Sequence, residues 1–260
     1  MCGIAGIVTH EGGDPARLRT RAAAMVATLA HRGPDDEGVW ADEAGRVALA
    51  HRRLSIVDLS PLGRNPMAWD NGRLQITFNG EIYNFRALRA ELEAAGHHFR
   101  SHTDTEVILA SYDQWGLEAV HRLAGMFAFA LWDAPRRRLW VVRDRVGKKP
   151  LYYAETPGAW LFGSELKAVV ADSSVGRDVD TAAVRQYLRY GYVPSPFTIY
   201  AKARKLPPAH YLLYEGGRAS VVRYWDPGAF VGGTPRVSAA EAEAADRKST
   251  RLNSSHVALS

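Results

Sequence analysis

The chain has 260 residues and a mass of 28.7 kDa, enough for one substantial core or two small ones. Hydrophobic residues make up 47% of the sequence and charged residues 23%, which excludes an intrinsically disordered chain and a fibrous repeat. The longest nearly apolar stretch, residues 22–30, is far shorter than the roughly 20 residues of a membrane span, and no basic residue precedes a hydrophobic stretch as in a signal peptide. We therefore expect a cytoplasmic protein with no membrane partner.

The charge balance gives little support for nucleic-acid binding. The formal net charge is +5, but Arg247, Lys248 and Arg251 lie in the last residues of the chain. The arginine run at 136–138 is typical of a solvated turn rather than of a surface that contacts phosphates. The single cysteine, Cys2, cannot form a disulfide within the chain, which agrees with a reducing compartment.

The N-terminal segment predicts a strand, a helix and a polar loop. Residues 2–9 are small and β-branched, which is typical of a buried strand. An aspartate and a proline at 14–15 precede apolar residues at helical spacing, so a helix is expected over about 15–30. A glycine and a proline then end this helix, and residues 31–35 form a loop rich in hydrogen-bonding groups.

The central part of the chain predicts strands followed by helices. Alternating apolar and polar residues indicate strands, and apolar residues at helical spacing before a glycine indicate helices. The pair Asn79-Gly80 is expected to close the second strand, and Asp104 to occupy the N-cap position of the second helix. The expected elements are strands over 47–50 and 74–78 and helices over about 85–95 and 105–115.

The second half of the chain changes to short strands separated by proline, glycine and charged turns, which predicts an antiparallel meander. Hairpins with helices grouped between them favour an α+β fold over a regular alternation of strands and helices around a parallel sheet. The expected strands cover 126–132, 139–143, 151–153, 160–162, 210–215 and 219–224, with one helix over about 180–190.

The composition changes after Trp225 to glycine, proline, alanine and glutamate. From residue 247 the chain is polar and has no periodicity. We expect a folded domain over residues 2–217, the start of an interdomain linker over 218–246, and a non-native or disordered tail over 247–260.

Cys2 is the first candidate nucleophile. Removal of the initiator methionine is normal before a residue this small, and it leaves a cysteine with a free α-amino group. That amine titrates at about 7.7–8.0 and a thiol at about 8.5, so at neutral pH part of the amine is neutral and can accept the thiol proton without a histidine. A lone cysteine can equally be a small buried hydrophobic residue, and both interpretations stay open at this point.

Four further residues could serve a thiol that attacks a carboxamide. Asn79 and Gly80 offer a side-chain NH₂ and an unobstructed backbone N–H to an oxyanion, although Asn-Gly is also common in hairpin turns. Arg53 could hold an α-carboxylate through two hydrogen bonds, although a single arginine is more often a surface residue. Asp104 could pair with an ammonium while it caps its helix, since a carboxylate has two oxygens.

Six ordered sequence blocks resemble one family. They are Met-Cys-Gly-Ile at 1–4, His-Arg-Gly-Pro-Asp at 31–35, Arg-Leu-Ser-Ile-Val-Asp at 53–58, Asn-Gly-Glu-Ile-Tyr-Asn at 79–84, Ser-His-Thr-Asp-Thr-Glu at 101–106, and Arg-Asp-Arg with Gly-Lys-Lys-Pro-Leu-Tyr-Tyr over 143–153. Together they resemble the glutamine amidotransferase domain of glutamine-hydrolysing asparagine synthetases, and the likeness covers about residues 2–225. The third and sixth blocks favour this branch over the purine and glucosamine branches of the N-terminal-nucleophile amidotransferases.

The resemblance implies a four-layer α/β/β/α sandwich, in which two antiparallel sheets pack between helical layers, as in N-terminal-nucleophile hydrolases. It implies Cys2 as the nucleophile with its own α-amine as the base, and Asn79 and Gly80 as the oxyanion hole. The implied glutamine-binding residues are Arg53, Leu54, Ser55, Ile56, Val57, Asn79, Gly80, Glu81 and Asp104, and the implied supporting residues, which would pack against the thiol, are Arg32 and Gly33. It implies no metal ligand.

The same resemblance implies L-glutamine as the substrate and a C-terminal synthetase domain of the parent chain as the partner. That domain would use the ammonia, with ATP and Mg²⁺, to convert aspartate to asparagine. Its Ser-Gly-Gly-x-Asp-Ser phosphate loop has no counterpart in this sequence, so no cofactor is expected here. A homodimer is compatible with the resemblance. Two alternatives stay open: another acceptor, as in exopolysaccharide-associated relatives, and a non-catalytic scaffold that docks a partner through its sheets.

Overall fold

The computed structural model describes residues 1–55, 61–230, 238, 240–241 and 243–244. None of the helices in these ranges has both the length and the apolar composition needed to cross a bilayer. The strands are β1 (Gly3–Thr9), β2 (Asp36–Ala41), β3 (Val47–Arg53), β4 (Met67–Trp69), β5 (Leu74–Ile82), β6 (Gly125–Asp133), β7 (Arg138–Arg143), β8 (Tyr152–Thr156), β9 (Ala159–Gly163), β10 (Ala203–Lys205), β11 (His210–Glu215) and β12 (Arg218–Arg223). The helices are α1 (Pro15–Ala27), α2 (Phe85–Ala94), α3 (Asp104–Trp115), α4 (Ala119–Arg122), α5 (Leu166–Val169) and α6 (Thr181–Tyr190).

Three strands of the structure escape the sequence patterns. β4 and β10 have only three residues each, too few to show a period, and β2 has no alternation of apolar and polar residues. β5 continues through Ile82, so Asn79-Gly80 lies inside this strand and does not close it. α1 ends at Ala27, three residues earlier than expected, because the chain tightens into a 3-10 turn at Ala30–Arg32.

The strands form two antiparallel sheets. The first sheet has the order β10-β8-β9-β1-β3-β2 and the second β12-β11-β7-β6-β5-β4. The expected meander is therefore split between the sheets, because β6 and β7 pair in the second sheet whereas β8 and β9 pair in the first. β12 pairs with β11 along its length, and the expected tail over 247–260 lies outside the described residues. The proposed division into domain, linker and tail remains a prediction.

The four-layer α+β sandwich is confirmed. Alternation along β1 shows how it is built: Ile4 and Val8 enter an inner core between the sheets, whereas Ala5 and Ile7 face the opposite side. α1 and α5 cover that outer face of the first sheet, and α2 and α3 cover the outer face of the second. Both faces of each sheet are thus buried, which explains the almost continuously apolar central strands.

Hydrogen bonds from Thr77 and His51 join β5 and β3 across the inner core. The Thr77 hydroxyl donates to the carbonyl of Ala50 at 3.0 Å, and His51 Nε2 lies 2.9 Å from the carbonyl of Phe78. Burial lowers the pKa of His51 to about 4, so its imidazole is neutral at physiological pH. Because a carbonyl only accepts, Nε2 carries the proton and donates. These bonds fix the position of β3 relative to β5.

The inner core predicts a matched pair of stability effects. Leu49 is fully buried there, whereas Leu188 on α6 is 78% exposed. Leu49→Ala should lower the free energy of unfolding by about 2–5 kcal/mol, because it removes packed methyl groups and leaves a cavity. Leu188→Ala should change it by no more than about 0.5 kcal/mol. Urea denaturation measures both, and equal losses would contradict this placement of the core.

Candidate active site

Cys2 lies immediately before β1, against the chain that leaves β3. The Leu54 N–H donates to the Cys2 sulfur at 3.4 Å, and the thiol lies 3.7 Å from the Leu54 carbonyl. Cys2 is half-buried, and burial raises the pKa of its thiol, an effect that the hydrogen bond with Leu54 and the nearby positive charges of Lys149 and Arg53 oppose. The thiol is therefore held in place by backbone but is not ionised by its surroundings alone.

The loop after α1 contacts the backbone of Cys2. Arg32 Nε donates to the Cys2 carbonyl at 2.9 Å, and its Nη1 pairs with Glu165 at 2.9 Å. A side chain on Gly33 would lie 2.4 Å from the carbonyl carbon of Arg52, so only glycine lets this loop pack against β3. Arg32 thus contacts the residue that carries the thiol and Gly33 packs against β3, while their supporting role stays a prediction.

Glu165 is a member of this arrangement that no sequence pattern indicated. Its carboxylate also meets His31 Nε2 at 2.9 Å and Lys167 Nζ at 3.2 Å. Burial alone would raise the pKa of Glu165, but the hydrogen bonds from Arg32, His31 and Lys167 outweigh it and lower that pKa to about 2. Glu165 is therefore an anion at physiological pH and keeps Arg32 in contact with Cys2.

The segment after β3 lies beside the thiol. Arg53, the last residue of β3, is 9% exposed, and the Ser55 N–H donates to Asp35 at 2.7 Å. Leu54 is the residue in contact with Cys2. Ile56 and Val57, which were expected to continue this wall, lie outside the described residues.

Asn79 and Gly80 are neighbours within β5. Asn79 is 1% exposed, yet its side-chain Nδ2 has no hydrogen-bond partner among the described residues. A buried donor without an acceptor is costly in a folded protein and therefore calls for an explanation, such as an acceptor that arrives with a ligand. A side chain on Gly80 would lie 2.4 Å from the Met126 carbonyl oxygen, so the strand pairing with β6 requires glycine at this position.

The bonds between the sheets bring these groups to one end of the sandwich. The contacts that join β3 and β5 advance in the same direction along both strands, so beyond them Arg53 and the pair Asn79-Gly80 continue towards the same end. Gly3 pairs with Arg52, which places Cys2 at that end as well. Residues distant in sequence thus converge on one site.

Asp104 occupies a different helix position from the one expected. It is the first residue of α3, and Thr103 is the N-cap, because the Thr103 side chain accepts from the N–H of Glu106 at 3.3 Å. Asp104 instead accepts from the Ile82 N–H at 2.9 Å, just beyond Asn79-Gly80. Burial raises the pKa of Asp104 to about 6, and the nearby charge of Glu81 acts in the same direction.

The groups brought together at this end of the sandwich differ in charge and in hydrogen-bonding character. Across the described ranges, no group of three histidine, cysteine, aspartate or glutamate side chains is arranged to hold a metal. The site combines a thiol, a free amide donor, a guanidinium and a buried carboxylate, which can bind groups of both charges.

A family model described as a glutamine amidotransferase domain matches residues 1–225. The chain belongs to this glutamine amidotransferase family. An asparagine synthetase [glutamine-hydrolyzing] of Bacillus subtilis is 39% identical to the amidotransferase domain over 229 residues, which cover 87% of this chain and 37% of that protein. A putative asparagine synthetase [glutamine-hydrolyzing] of Methanocaldococcus jannaschii is 32% identical over 86% of this chain and 46% of its own length. The chain thus spans less than half the length of these relatives.

The fold of the amidotransferase domain agrees with that of solved relatives. The glutamine phosphoribosylpyrophosphate amidotransferase of Bacillus subtilis, solved with ADP and GMP, superposes with a TM-score of 0.64 over 86% of this chain and 49% of its own, at 20% sequence identity. At that identity the likeness supports the fold alone. The two-sheet architecture implied by the family resemblance is therefore shared with a known amidotransferase.

The raised pKa of Asp104 predicts a pH-dependent stability effect. Its pKa is about 6 in the fold and about 3.9 in an unfolded chain, so its ionised form is penalised only in the folded state. The destabilisation is absent below about pH 4 and complete above about pH 6. Asp104→Asn, which keeps an acceptor for the Ile82 N–H, should raise the free energy of unfolding by about 1–3 kcal/mol at pH 8 and leave it nearly unchanged at pH 4.

Asp178→Asn is the matched control, because Asp178 is exposed. It should change the free energy of unfolding by less than about 0.5 kcal/mol at both pH values. Urea denaturation of both variants at pH 4 and pH 8 measures the effect. A loss of stability for Asp104→Asn at pH 8 would contradict the cost assigned to the buried carboxylate.

Proposed function

We propose that this amidotransferase domain hydrolyses L-glutamine at Cys2 through a γ-glutamyl thioester and supplies the ammonia for amidation of an acceptor. The observation that carries the proposal is the convergence of the Cys2 thiol, the Arg53 guanidinium and the unpartnered Nδ2 of Asn79 at one end of the facing sheets. A nucleophile, an anion-binding group and an amide donor are the groups that cleavage of an amino-acid carboxamide needs.

The charges of the site match the charges of glutamine. In the proposal Arg53 binds the α-carboxylate and Asp104 binds the α-ammonium, helped by the neighbouring Glu81. The bound ammonium would favour the ionised form of Asp104 and so lower its pKa again. The γ-carbonyl oxygen then lies against Asn79 Nδ2 and the Gly80 N–H, next to the thiol.

The first half of the proposed reaction forms the thioester. The α-amine of Cys2 takes the thiol proton, and the sulfur attacks the γ-carbonyl carbon. The C–O electron pair moves onto the oxygen, where Asn79 and Gly80 stabilise the negative charge. The oxygen pair returns, the C–N bond breaks, and the leaving nitrogen takes the proton from the α-ammonium to depart as ammonia.

The second half of the proposed reaction restores the enzyme. The α-amine takes a proton from water, the hydroxide oxygen attacks the thioester carbon, and the same oxyanion site holds the new negative charge. The C–S bond then breaks, the sulfur regains its proton, and glutamate leaves. In the chain described here Met1 precedes Cys2, so this base becomes available only when Met1 is removed.

The acceptor of the ammonia is proposed from the relatives. Two Bacillus subtilis relatives are named asparagine synthetases, which suggests aspartate as the acceptor. A relative of 34% identity from Gibberella zeae is named an amidase, so residues 1–225 by themselves do not determine the acceptor. We place the amidation, with its ATP and Mg²⁺, in a C-terminal synthetase domain corresponding to the part of the relatives that this chain does not span. Assays of the complete reading frame with aspartate and with other carboxylates would identify the acceptor.

Cys2→Ala should abolish ammonia release from glutamine, by about 10³-fold or more, because it removes the attacking atom. A noncleavable N-terminal extension should do the same, since it converts the α-amine into an amide that accepts no proton. The measurement is glutamate dehydrogenase-coupled detection of ammonia on purified protein, whose intact mass confirms that Met1 is absent.

The same extension placed at the C-terminus should leave ammonia release unchanged. Full activity of the Cys2→Ala variant would show that the protein does not use this thiol, whereas a wild-type protein that releases no ammonia would favour the non-catalytic scaffold. Full activity of the N-terminally extended protein would instead show that another group acts as the base.

Asn79→Ala should lower kcat for glutamine hydrolysis by about 10²–10³-fold with little change in KM, because its donor would act on charge that develops only in the transition state. Steady-state kinetics separate the two constants. A large rise in KM with unchanged kcat would place Asn79 in ground-state binding and contradict the oxyanion assignment.

A further inference from the structure

Two adjacent lysines in the connection from β7 to β8 have opposite environments. Lys148 is exposed, whereas Lys149 is only 5% exposed. Lysine is almost never buried without a partner, because removing an ammonium from water is costly. The environment of Lys149 therefore calls for a physical explanation.

The position of Lys149 is fixed by a buried aspartate. The Asp144 carboxylate accepts backbone N–H groups from Val146 at 3.2 Å, Lys148 at 2.9 Å and Lys149 at 2.9 Å. It also accepts the N–H of Phe127 at 3.3 Å, and Phe127 is the residue of β6 that pairs with Gly80. The connection is thus built around one carboxylate and anchored beside the strand that carries the expected oxyanion donors.

Asp144, one of the two carboxylates that act on Lys149, is already occupied by backbone donors. Both oxygens of the Asp144 carboxylate accept hydrogen bonds from these four backbone N–H groups. The Lys149 ammonium itself has no hydrogen bond or ion pair within the part of the chain that the structure describes. The charged groups that act on Lys149 are Cys2, Arg32, Asp144 and Glu81. Burial lowers the pKa of Lys149, and among its neighbours Cys2 has the largest opposing effect.

Lys149 in turn acts on the Cys2 thiol and on the N-terminal ammonium. The charged groups that act on the Cys2 thiol are the N-terminal ammonium, Lys149 and Arg53, and those on the N-terminal ammonium include Arg32, Lys149 and Asp35. Arg32 donates through Nε to the Cys2 carbonyl and pairs through Nη1 with Glu165, while its buried Nη2 has no hydrogen-bond partner among the described residues. Arg53 is the residue assigned to the substrate carboxylate. Lys149 is a buried cation that acts electrostatically on the thiol and has no hydrogen bond or ion pair among the described residues.

We propose that Lys149 is the positioning residue that stabilises the Cys2 thiolate, as a fixed positive charge beside the sulfur. The inference rests on the proposed function of Cys2 as the nucleophile. The same charge disfavours protonation of a neighbouring α-amine and so keeps the base neutral. Lys149 acts through Cys2 and takes no part in bond making.

The test uses the fact that Cys2 is the single cysteine of the chain, so every alkylation of a thiol reports on it. The thiolate sulfur displaces iodide from iodoacetamide, and the rate of this reaction follows the ionised fraction as the pH rises. Lys149→Met should move the midpoint of this pH profile upward and slow alkylation at pH 7 by about 3–10-fold. Lys149→Arg should restore the wild-type profile, because it keeps the charge.

Lys148→Met is the matched control, since it removes the adjacent but exposed lysine, and its alkylation profile should equal that of the wild type. Lys149→Gln provides a second removal of the charge should the methionine variant fail to fold, as checked by circular dichroism. Identical profiles for the wild type and a folded Lys149→Met or Lys149→Gln variant would overturn the proposal, as would an equal shift in Lys148→Met.

The alkylation assay contains no glutamine, so its result is independent of the proposed hydrolysis. A wild-type protein that fails to release ammonia from glutamine would refute the proposed function, whereas an unmoved alkylation profile would refute the role of Lys149 alone. In an active enzyme, Lys149→Met should also shift the rise of kcat/KM to higher pH, by the same amount as the alkylation midpoint.

Discussion

The hydrogen bonds of Thr77 and His51 across the inner core are the constraint on which the site depends. Apolar packing between two sheets tolerates small sliding, because dispersion contacts have little directionality. A hydrogen bond from a buried, neutral imidazole to a carbonyl is directional, so sliding of one sheet along the other would break it. A slip of one residue along β5 would turn Asn79 to the opposite face, since side chains alternate along a strand. The inner core thus sets the distance from thiol to amide donor.

A second constraint acts on the beginning of the chain. Terminal residues are usually poorly ordered, yet the proposed chemistry needs a cysteine at a fixed position there. The Ile4 N–H donates to the Ser164 hydroxyl at 3.0 Å, and the Ser164 N–H donates to the Ile4 carbonyl at 2.9 Å. Arg32 donates to the Cys2 carbonyl and is itself held by Glu165. The N-terminal end of β1 is therefore held by β9, by Ser164 directly after β9, and by the loop after α1.

Periodicity in the sequence was sufficient for the long elements and insufficient for the short ones. β5 and β6 were recognised because alternation or continuous apolar character extends over many residues, whereas β4 and β10 are stabilised by pairing with β5 and β8 rather than by their own pattern. The strands of the predicted meander are divided between the two sheets, because strand spacing does not show where the chain crosses from one sheet to the other. The N-cap assigned to Asp104 belongs to Thr103, because either residue can cap a helix and only the backbone geometry selects one.

The sequence by itself determined the α+β class, the family likeness and the candidate residues Cys2, Arg53 and Asn79-Gly80, because short motifs carry the residue types that the chemistry requires. Tertiary structure alone decided that the Asn79 amide is buried without a partner among the described residues, that Asp104 binds the Ile82 N–H, and that one lysine of an adjacent pair is buried and acts electrostatically on the thiol. These are properties of desolvation and of contacts between distant segments. Burial and such contacts arise only when the sheets pack, so they cannot be predicted from the residues that are neighbours in the sequence.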